Sequence, residues 1–403
     1  MPVPIEFTPE AIEAASGPDA FRPYEEFLRC RQPVDSIVES NPWMRTPLSQ
    51  DEVAWGEGNY YDTTVGRKHP YWKNFALPEP TKDLNRLRHD LYEWGFCLIE
   101  DALSRGQNDA TRARLVEQAA AERAAGIDYP GGSFQLICSL INKGDLFPRF
   151  IEHDPEVVQG GPVIERLLDE TLRKGWCTFS FTANISYPGC LPMGLHQDQG
   201  AINPFQTQQA PVDVTTMYIL EDVDERNGTL VVPTSHKLIP AAGSGNKVGK
   251  LPPAIHVEAP AGTALVFDGR LLHGTSINRG DDWRYVIVTP SMKPWIRSQE
   301  NFMLSVDPQV IANASAKLLQ RIGYQATGGL GNAEGFGNRG SGRAGDLAGG
   351  LQAARAHLTS GTYRHVGRLS VDEAAALADD HFTLQTLQRE REGRKPGHRN
   401  HYW

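Results

Sequence analysis

A chain of 403 residues, 40% hydrophobic and 22% charged, has the composition of an ordinary folded protein, one main domain with additions, and not that of a disordered chain. The formal net charge of −9 and a pI near 5.8 give no overall pull toward phosphate backbones or anionic lipid, so neither nucleic acid nor a membrane is an expected partner. No apolar run approaches the roughly 20 residues of a membrane span.

The start, MPVPIEFTPEAIEAA, has neither a basic n-region nor an apolar h-region. Cys30, Cys97, Cys138, Cys177 and Cys190 form no CxxC pair and read as reduced, buried thiols, so the expected location is cytoplasmic. Residues 1–80 are rich in proline and in aromatic side chains such as Trp43, Trp55, Tyr71 and Trp72, and read as an extension laid over a core. From Asp83, the run DLNRLRHDLYEW places Leu84, Leu87, Leu91 and Trp94 at helical spacing; Gly95 ends it and a short strand follows at 96–99. Further helical stretches are predicted at 109–125 and 162–172.

The pattern changes at Thr178. In TFSFTANIS, Phe179, Phe181, Ala183 and Ile185 alternate with Thr178, Ser180, Thr182, Asn184 and Ser186, the period of a strand with two unlike faces. Short strands are predicted at 214–220, 229–232, 255–258, 263–267 and 284–289, each bounded by turn-forming residues, which suggests a sandwich or jelly roll. The fold class is mainly β with flanking helices (α+β). Beyond Pro294 the chain is irregular: 323–350 holds eleven glycines and reads as a mobile loop, and Ser370 with Glu373 forms a capping box for a helix to about 391. The expected organisation is therefore an extension at 1–80, the main domain at 81–303 and a C-terminal extension at 304–403.

Chemistry concentrates in the β block. His196 and Asp198 of His196-Gln197-Asp198 are two residues apart, so an extended backbone turns both to one side. By itself such a tripeptide also fits a surface hydrogen-bonded pair. This one follows a turn-rich segment at 188–194 that closes the best strand in the chain, and His273 likewise lies just past the strand at 263–267. Two histidines and a carboxylate on one face of an octahedron leave the other positions open, as in non-heme Fe(II) oxygenases, which place cosubstrate and dioxygen there. Arg284, eleven residues beyond His273, opens a strand and shares its inward face with Val286 and Val288. An inward arginine needs a partner; a 2-oxoglutarate carboxylate suits its planar fork, and a structural ion pair is the plainer alternative.

The runs HQD, NGTLVVPTSHK and GTALVFDGRLLHGTSINRGDDWRYVI, with GFCLIEDALS before them and PWIRSQENF after, resemble the phytanoyl-CoA dioxygenase family of Fe(II)/2-oxoglutarate oxygenases. The resemblance covers about 83–289. It implies a cupin-like double-stranded β-helix, Fe(II) held by His196, Asp198 and His273, and 2-oxoglutarate anchored by Arg284. It also implies a cosubstrate role for the hydroxyl of Thr275, and Asn184 is a further candidate for that pocket. Thr234 stands where the family often has glycine. His236 and His256 read as structural, and Trp295, Arg297 and Glu300 as packing residues near a substrate mouth.

The implied activity is oxidation, foremost hydroxylation, of an unactivated C–H bond of a small-molecule metabolite, using O2 and releasing succinate and CO2. Asp198 fills the position that halogenating relatives vacate for chloride. Competing readings are an inactive jelly-roll binding protein, an acyl-CoA hydroxylase, and a zinc hydrolase that needs no 2-oxoglutarate. A homo-oligomer built through either extension stays open.

Overall fold

The computed structural model describes residues 66–68, 70–130, 134–190, 193, 195–201, 210–238 and 254–324. The 1–65 part of the N-terminal extension, all of the glycine-rich segment after Tyr324, and the helix expected from Ser370 lie outside the described residues.

The first helix, α1 (Leu84–Trp94), begins where Asp83 accepts a hydrogen bond from the Asn85 amide and ends at Gly95, whose φ of 85° is left-handed. A Cβ at Gly95 would meet His236 Nδ1 at 2.5 Å and Leu271 Cδ1 at 2.8 Å, so this turn demands glycine on space as well as on conformation. The chain then enters β1 (Phe96–Ile99). Helix α2 (Arg105–Ala125) starts four residues earlier than periodicity predicts, because Ser104 and Gln107 form a reciprocal capping box. Next come β2 (Tyr129–Pro130), β3 (Gln135–Ile137), α3 (Leu146–Ile151) and α4 (Gly161–Leu172).

The β block comprises β4 (Cys177–Thr178), β5 (Thr182–Ser186), β6 (Asp213–Ile219), β7 (Leu230–Val231), β8 (Ile255–His256), β9 (Ala264–Asp268), β10 (His273–Gly274) and β11 (Arg284–Met292), with the short helix α5 (Ser235–Leu238) between β7 and β8. A large antiparallel sheet runs in the order β1-β9-β6-β11-β5-β3-β2, with β4 also paired to β11. A small sheet runs β10-β7-β8, and a two-way bridge between His196 and His273 adds the His196 segment to its β10 edge. Along the chain β5, β6, β9 and β11 belong to the large sheet, while the His196 segment, β7, β8 and β10 belong to the small one. This alternation is the winding of a double-stranded β-helix.

Both faces of the large sheet are covered, so its central strands are buried throughout. Phe96, Leu98, Met217, Ile219, Leu265, Phe267 and Val286 pack toward the small sheet together with Leu230, Val231 and Ile255. Their neighbours Cys97, Ile99, Tyr218, Val266, Tyr285 and Ile287 pack toward α2, α3 and α4. Tyr71, Trp72 and Leu77 join the inter-sheet cluster, so the described end of the N-terminal extension packs on the core. After β11, α6 (Phe302–Ser305), α7 (Pro308–Asn313) and α8 (Ala316–Arg321) join the helical side through Phe302, Ile311, Leu318 and Leu319.

Two strands differ from their expected extents for one reason. The continuous strand predicted over 178–186 is interrupted: Thr178 lies opposite Ser291 and Thr182 opposite Val288, so three residues of one strand face two of the other. At this bulge the Phe179 amide donates to the Pro290 carbonyl at 2.8 Å, and the Phe181 amide turns away to Glu300 Oε2 at 3.1 Å. The same site lets β11 run through Pro290 to Met292, because a proline is tolerated where the ladder is already broken. Of the cysteines, Cys97, Cys177 and Cys190 are buried as expected, whereas Cys138 is exposed and Cys30 lies outside the described residues.

Candidate metal centre

His196 and His273 are direct cross-strand partners. The His196 amide donates to the His273 carbonyl at 2.8 Å and the His273 amide returns a bond at 2.9 Å, which places both side chains on one face with ring centroids 4.4 Å apart. Asp198 completes the group: its Oδ1 lies 3.4 Å from His196 Nε2 and 3.5 Å from His273 Nε2. One ligand atom from each of the three residues falls within 4.8 Å of the others, the spacing a single ion can bridge. Among the described residues no other group of histidine, cysteine and carboxylate side chains has this property.

The surroundings prepare these atoms for a cation. His273 Nδ1 is bonded to the Leu271 carbonyl at 3.0 Å, which puts the proton on Nδ1 and turns the lone pair of Nε2 toward Asp198. Phe267 packs against the same imidazole at 4.4 Å. Burial pulls the His273 imidazole down to about 4, so the ring is neutral at ordinary pH. Burial pushes the Asp198 carboxyl up, but His273, His196 and the Thr215 hydroxyl more than offset it and hold the group below the usual carboxylate range. Thr215 Oγ1 donates to Asp198 Oδ2 at 2.7 Å, and the Gln197 amide bonds the Arg270 carbonyl, pinning the residue between the two ligands. Asp213, on the same face of β6, is fully buried; burial, then Asp198 and Asp268, push its carboxyl well up.

Arg284 is 2% exposed, on the inter-sheet face of β11 opposite Ser186. It donates to Ser186 Oγ at 3.0 Å and to the Asn227 carbonyl, while its Nε is buried with no partner. No carboxylate of the described residues forms an ion pair with it, and burial lowers its pKa. The structural ion pair weighed from the sequence is therefore absent among the described residues. A buried guanidinium with an unpartnered Nε and no carboxylate bonded to it fits an incoming carboxylate.

Asn184 lies on this same face, opposite Val286, with a buried Oδ1 that has no partner. Thr275 is buried two residues beyond His273, and its carbonyl accepts from the Met193 amide at 2.9 Å. His236 bonds the Tyr92 carbonyl at 3.0 Å near the end of α1. His256 is buried on β8 with neither ring nitrogen hydrogen-bonded. Trp295 and Arg297 are exposed, and Glu300 seals the β4–β5 bulge. Sequence reasoning missed Thr215, Ser186 and Asn227; a threonine sharing a face with Met217 and Ile219 was the one available signal.

A double-stranded β-helix with two histidines and an aspartate converging on its inner face is an arrangement that could hold a metal ion. Residues 91–286 match the family described as Phytanoyl-CoA dioxygenase (PhyH). Among curated proteins it is 25% identical over 277 residues to "Dioxygenase af480" of Aspergillus fumigatus, covering 63% of this chain and 85% of that protein. It is 24% identical over 258 residues to "Uncharacterized protein Rv1501" of Mycobacterium tuberculosis, covering 61% and 89%. A solved structure described as the non-heme alpha ketoglutarate dependent carbocyclase SnoK from nogalamycin biosynthesis is 18% identical, covering 57% of this chain and 93% of that one with a TM-score of 0.44. Among the described residues no helix is long and apolar enough to cross a membrane.

Proposed function

We propose that this protein is an Fe(II)- and 2-oxoglutarate-dependent dioxygenase that oxidises a small-molecule metabolite, with hydroxylation of an unactivated C–H bond as the reaction. The observation that carries this reading is the pairing of the His196, Asp198 and His273 cluster with a buried Arg284 whose Nε has no partner. The cluster's donor set, two imidazoles and a carboxylate, suits ferrous iron and leaves open coordination positions. The match to a dioxygenase family and to a relative named as a dioxygenase supports the same conclusion.

In this mechanism His196 and His273 offer nitrogen, Asp198 offers Oδ1, and the hydrogen bond to Leu271 keeps His273 in the tautomer that can bind. Arg284 grips the distal carboxylate of 2-oxoglutarate, with Thr275 and Asn184 as proposed neighbours in that pocket. When bound, the iron supplies the redox chemistry: 2-oxoglutarate, O2 and R–H become succinate, CO2 and R–OH. The two sheets wall the inner side of the site, where the strands are buried.

The test is oxygen-dependent succinate release with iron and 2-oxoglutarate. Wild-type protein is expected to turn over, and Asp198→Ala to lose activity by at least about 100-fold, the range for losing a group that supports a metal. Unchanged turnover of Asp198→Ala would reject the ligand assignment. Activity that is independent of 2-oxoglutarate would point to hydrolysis by another metal.

A further inference from the structure

We propose that Thr215 is a positioning residue that restricts Asp198 to binding the metal through one oxygen, and thereby reserves a coordination position for cosubstrate or dioxygen. This rests on the function proposed above.

The two oxygens of Asp198 have separate surroundings. Oδ1 faces His196 Nε2 and His273 Nε2 at 3.4 and 3.5 Å, whereas Oδ2 accepts the Thr215 hydroxyl at 2.7 Å. Asp198 lies outside the strands and opens a short 3-10 turn, Asp198–Ala201. Thr215 is the reverse. It is fully buried within β6, opposite Phe267 on one side and Pro290 on the other, and its branched Cβ restricts rotation of the hydroxyl. A strand residue thus holds Oδ2 of a carboxylate carried on a turn. Hydrogen bonds to a carboxylate are among the strong ones, more so away from water.

Coordination arithmetic gives that bond its importance. Around an octahedral ion, two histidines and a one-oxygen aspartate would take three positions and leave three for cosubstrate and dioxygen. If Oδ2 were free to join Oδ1 on the ion, only two would remain and the two co-reactants would compete. A hydroxyl that occupies Oδ2 prevents this without adding charge.

The test compares Thr215→Val, which removes the hydroxyl at nearly the same shape, with Thr215→Ser, which keeps it; Thr215→Ala is the second hydroxyl-free variant should the valine protein not fold. Titration with Co(II), followed by visible absorption, reads the metal alone. Anaerobic titration of the Fe(II)-loaded proteins with 2-oxoglutarate, followed by charge-transfer absorption, reads cosubstrate binding without turnover. In Thr215→Val, Co(II) is expected to bind at least as tightly as in the wild type with a changed spectrum, and 2-oxoglutarate about 10- to 100-fold more weakly. Thr215→Ser should match the wild type in both. The proposal is overturned if Thr215→Val keeps the wild-type Co(II) spectrum and 2-oxoglutarate affinity, or if Thr215→Ser is as impaired as Thr215→Val. Should wild-type protein show no 2-oxoglutarate absorption at all, the proposed function fails, and the Co(II) comparison still decides whether Thr215 sets the binding mode of Asp198.

Discussion

Arg284 is the side chain whose surroundings are least consistent with a purely structural role. Its guanidinium is 2% exposed, meets one hydroxyl and one carbonyl, and leaves Nε with no partner. Arg284→Lys keeps a cation but loses the planar fork, so 2-oxoglutarate affinity should fall about 10- to 100-fold, judged from charge-assisted bonds of roughly 1.5–3 kcal/mol, while Co(II) affinity stays unchanged. Parallel titrations of the two ligands check this. Thr234 offers a different test. It has a φ of 71°, a conformation in which a β-branched residue is strained, and its buried hydroxyl lacks a partner. Relief of roughly 1–2 kcal/mol of left-handed strain offsets the lost burial and the added chain entropy. Thr234→Gly should therefore leave urea-measured stability unchanged or raise it by up to about 1 kcal/mol, although a fully buried side chain is being deleted. The metal-centre candidates could be read from the sequence because strand alternation and turn residues place His196, Asp198 and His273 locally. Thr215, Ser186 and Asn227 could not, since each meets its partner only through pairings 17, 98 and 57 residues apart.

At the scale of elements, the interruption between β4 and β5 depends on one acidic side chain from beyond the barrel. Glu300 accepts the Phe181 amide through Oε2 and donates its own amide to the Phe179 carbonyl. Glu300→Ala leaves the Phe181 amide without its partner and should cost about 1–3 kcal/mol in denaturant unfolding, with Glu300→Gln recovering most of it through its amide oxygen. A neutral effect of Glu300→Ala would show that water replaces the carboxylate there. Periodicity located α1, α4 and the central strands because their apolar positions recur strictly. It missed the first four residues of α2, which capping by Ser104 and Gln107 adds, and it ended β11 at Thr289 because Pro290 reads as a breaker until the bulge beside it is known.

Across the molecule, buried ionisable groups pull the pH dependence of folding in opposite directions. Burial lowers His256 to about 4 and His236 to about 4, so between that value and the ordinary 6.5 the unfolded chain binds protons that the fold refuses, and stability is lost as pH falls through this window. Burial raises Glu221 to about 7, which acts in reverse: the folded chain keeps a proton that the unfolded chain releases above about 4.5. Removing one histidine isolates its share. His256→Leu should gain stability relative to the wild type as pH drops from 7 to 4, by on the order of 3 kcal/mol at the acid end, in urea melts of metal-free protein. A constant difference across that range would show that His256 is not neutral in the fold. The winding of the sheets has one more consequence. The two histidines are ladder partners as well as proposed ligands, so the distance between them is set by the backbone and does not wait for an ion to draw them together. Stripping by a chelator would then empty a socket that keeps its shape, and reloading would require no refolding.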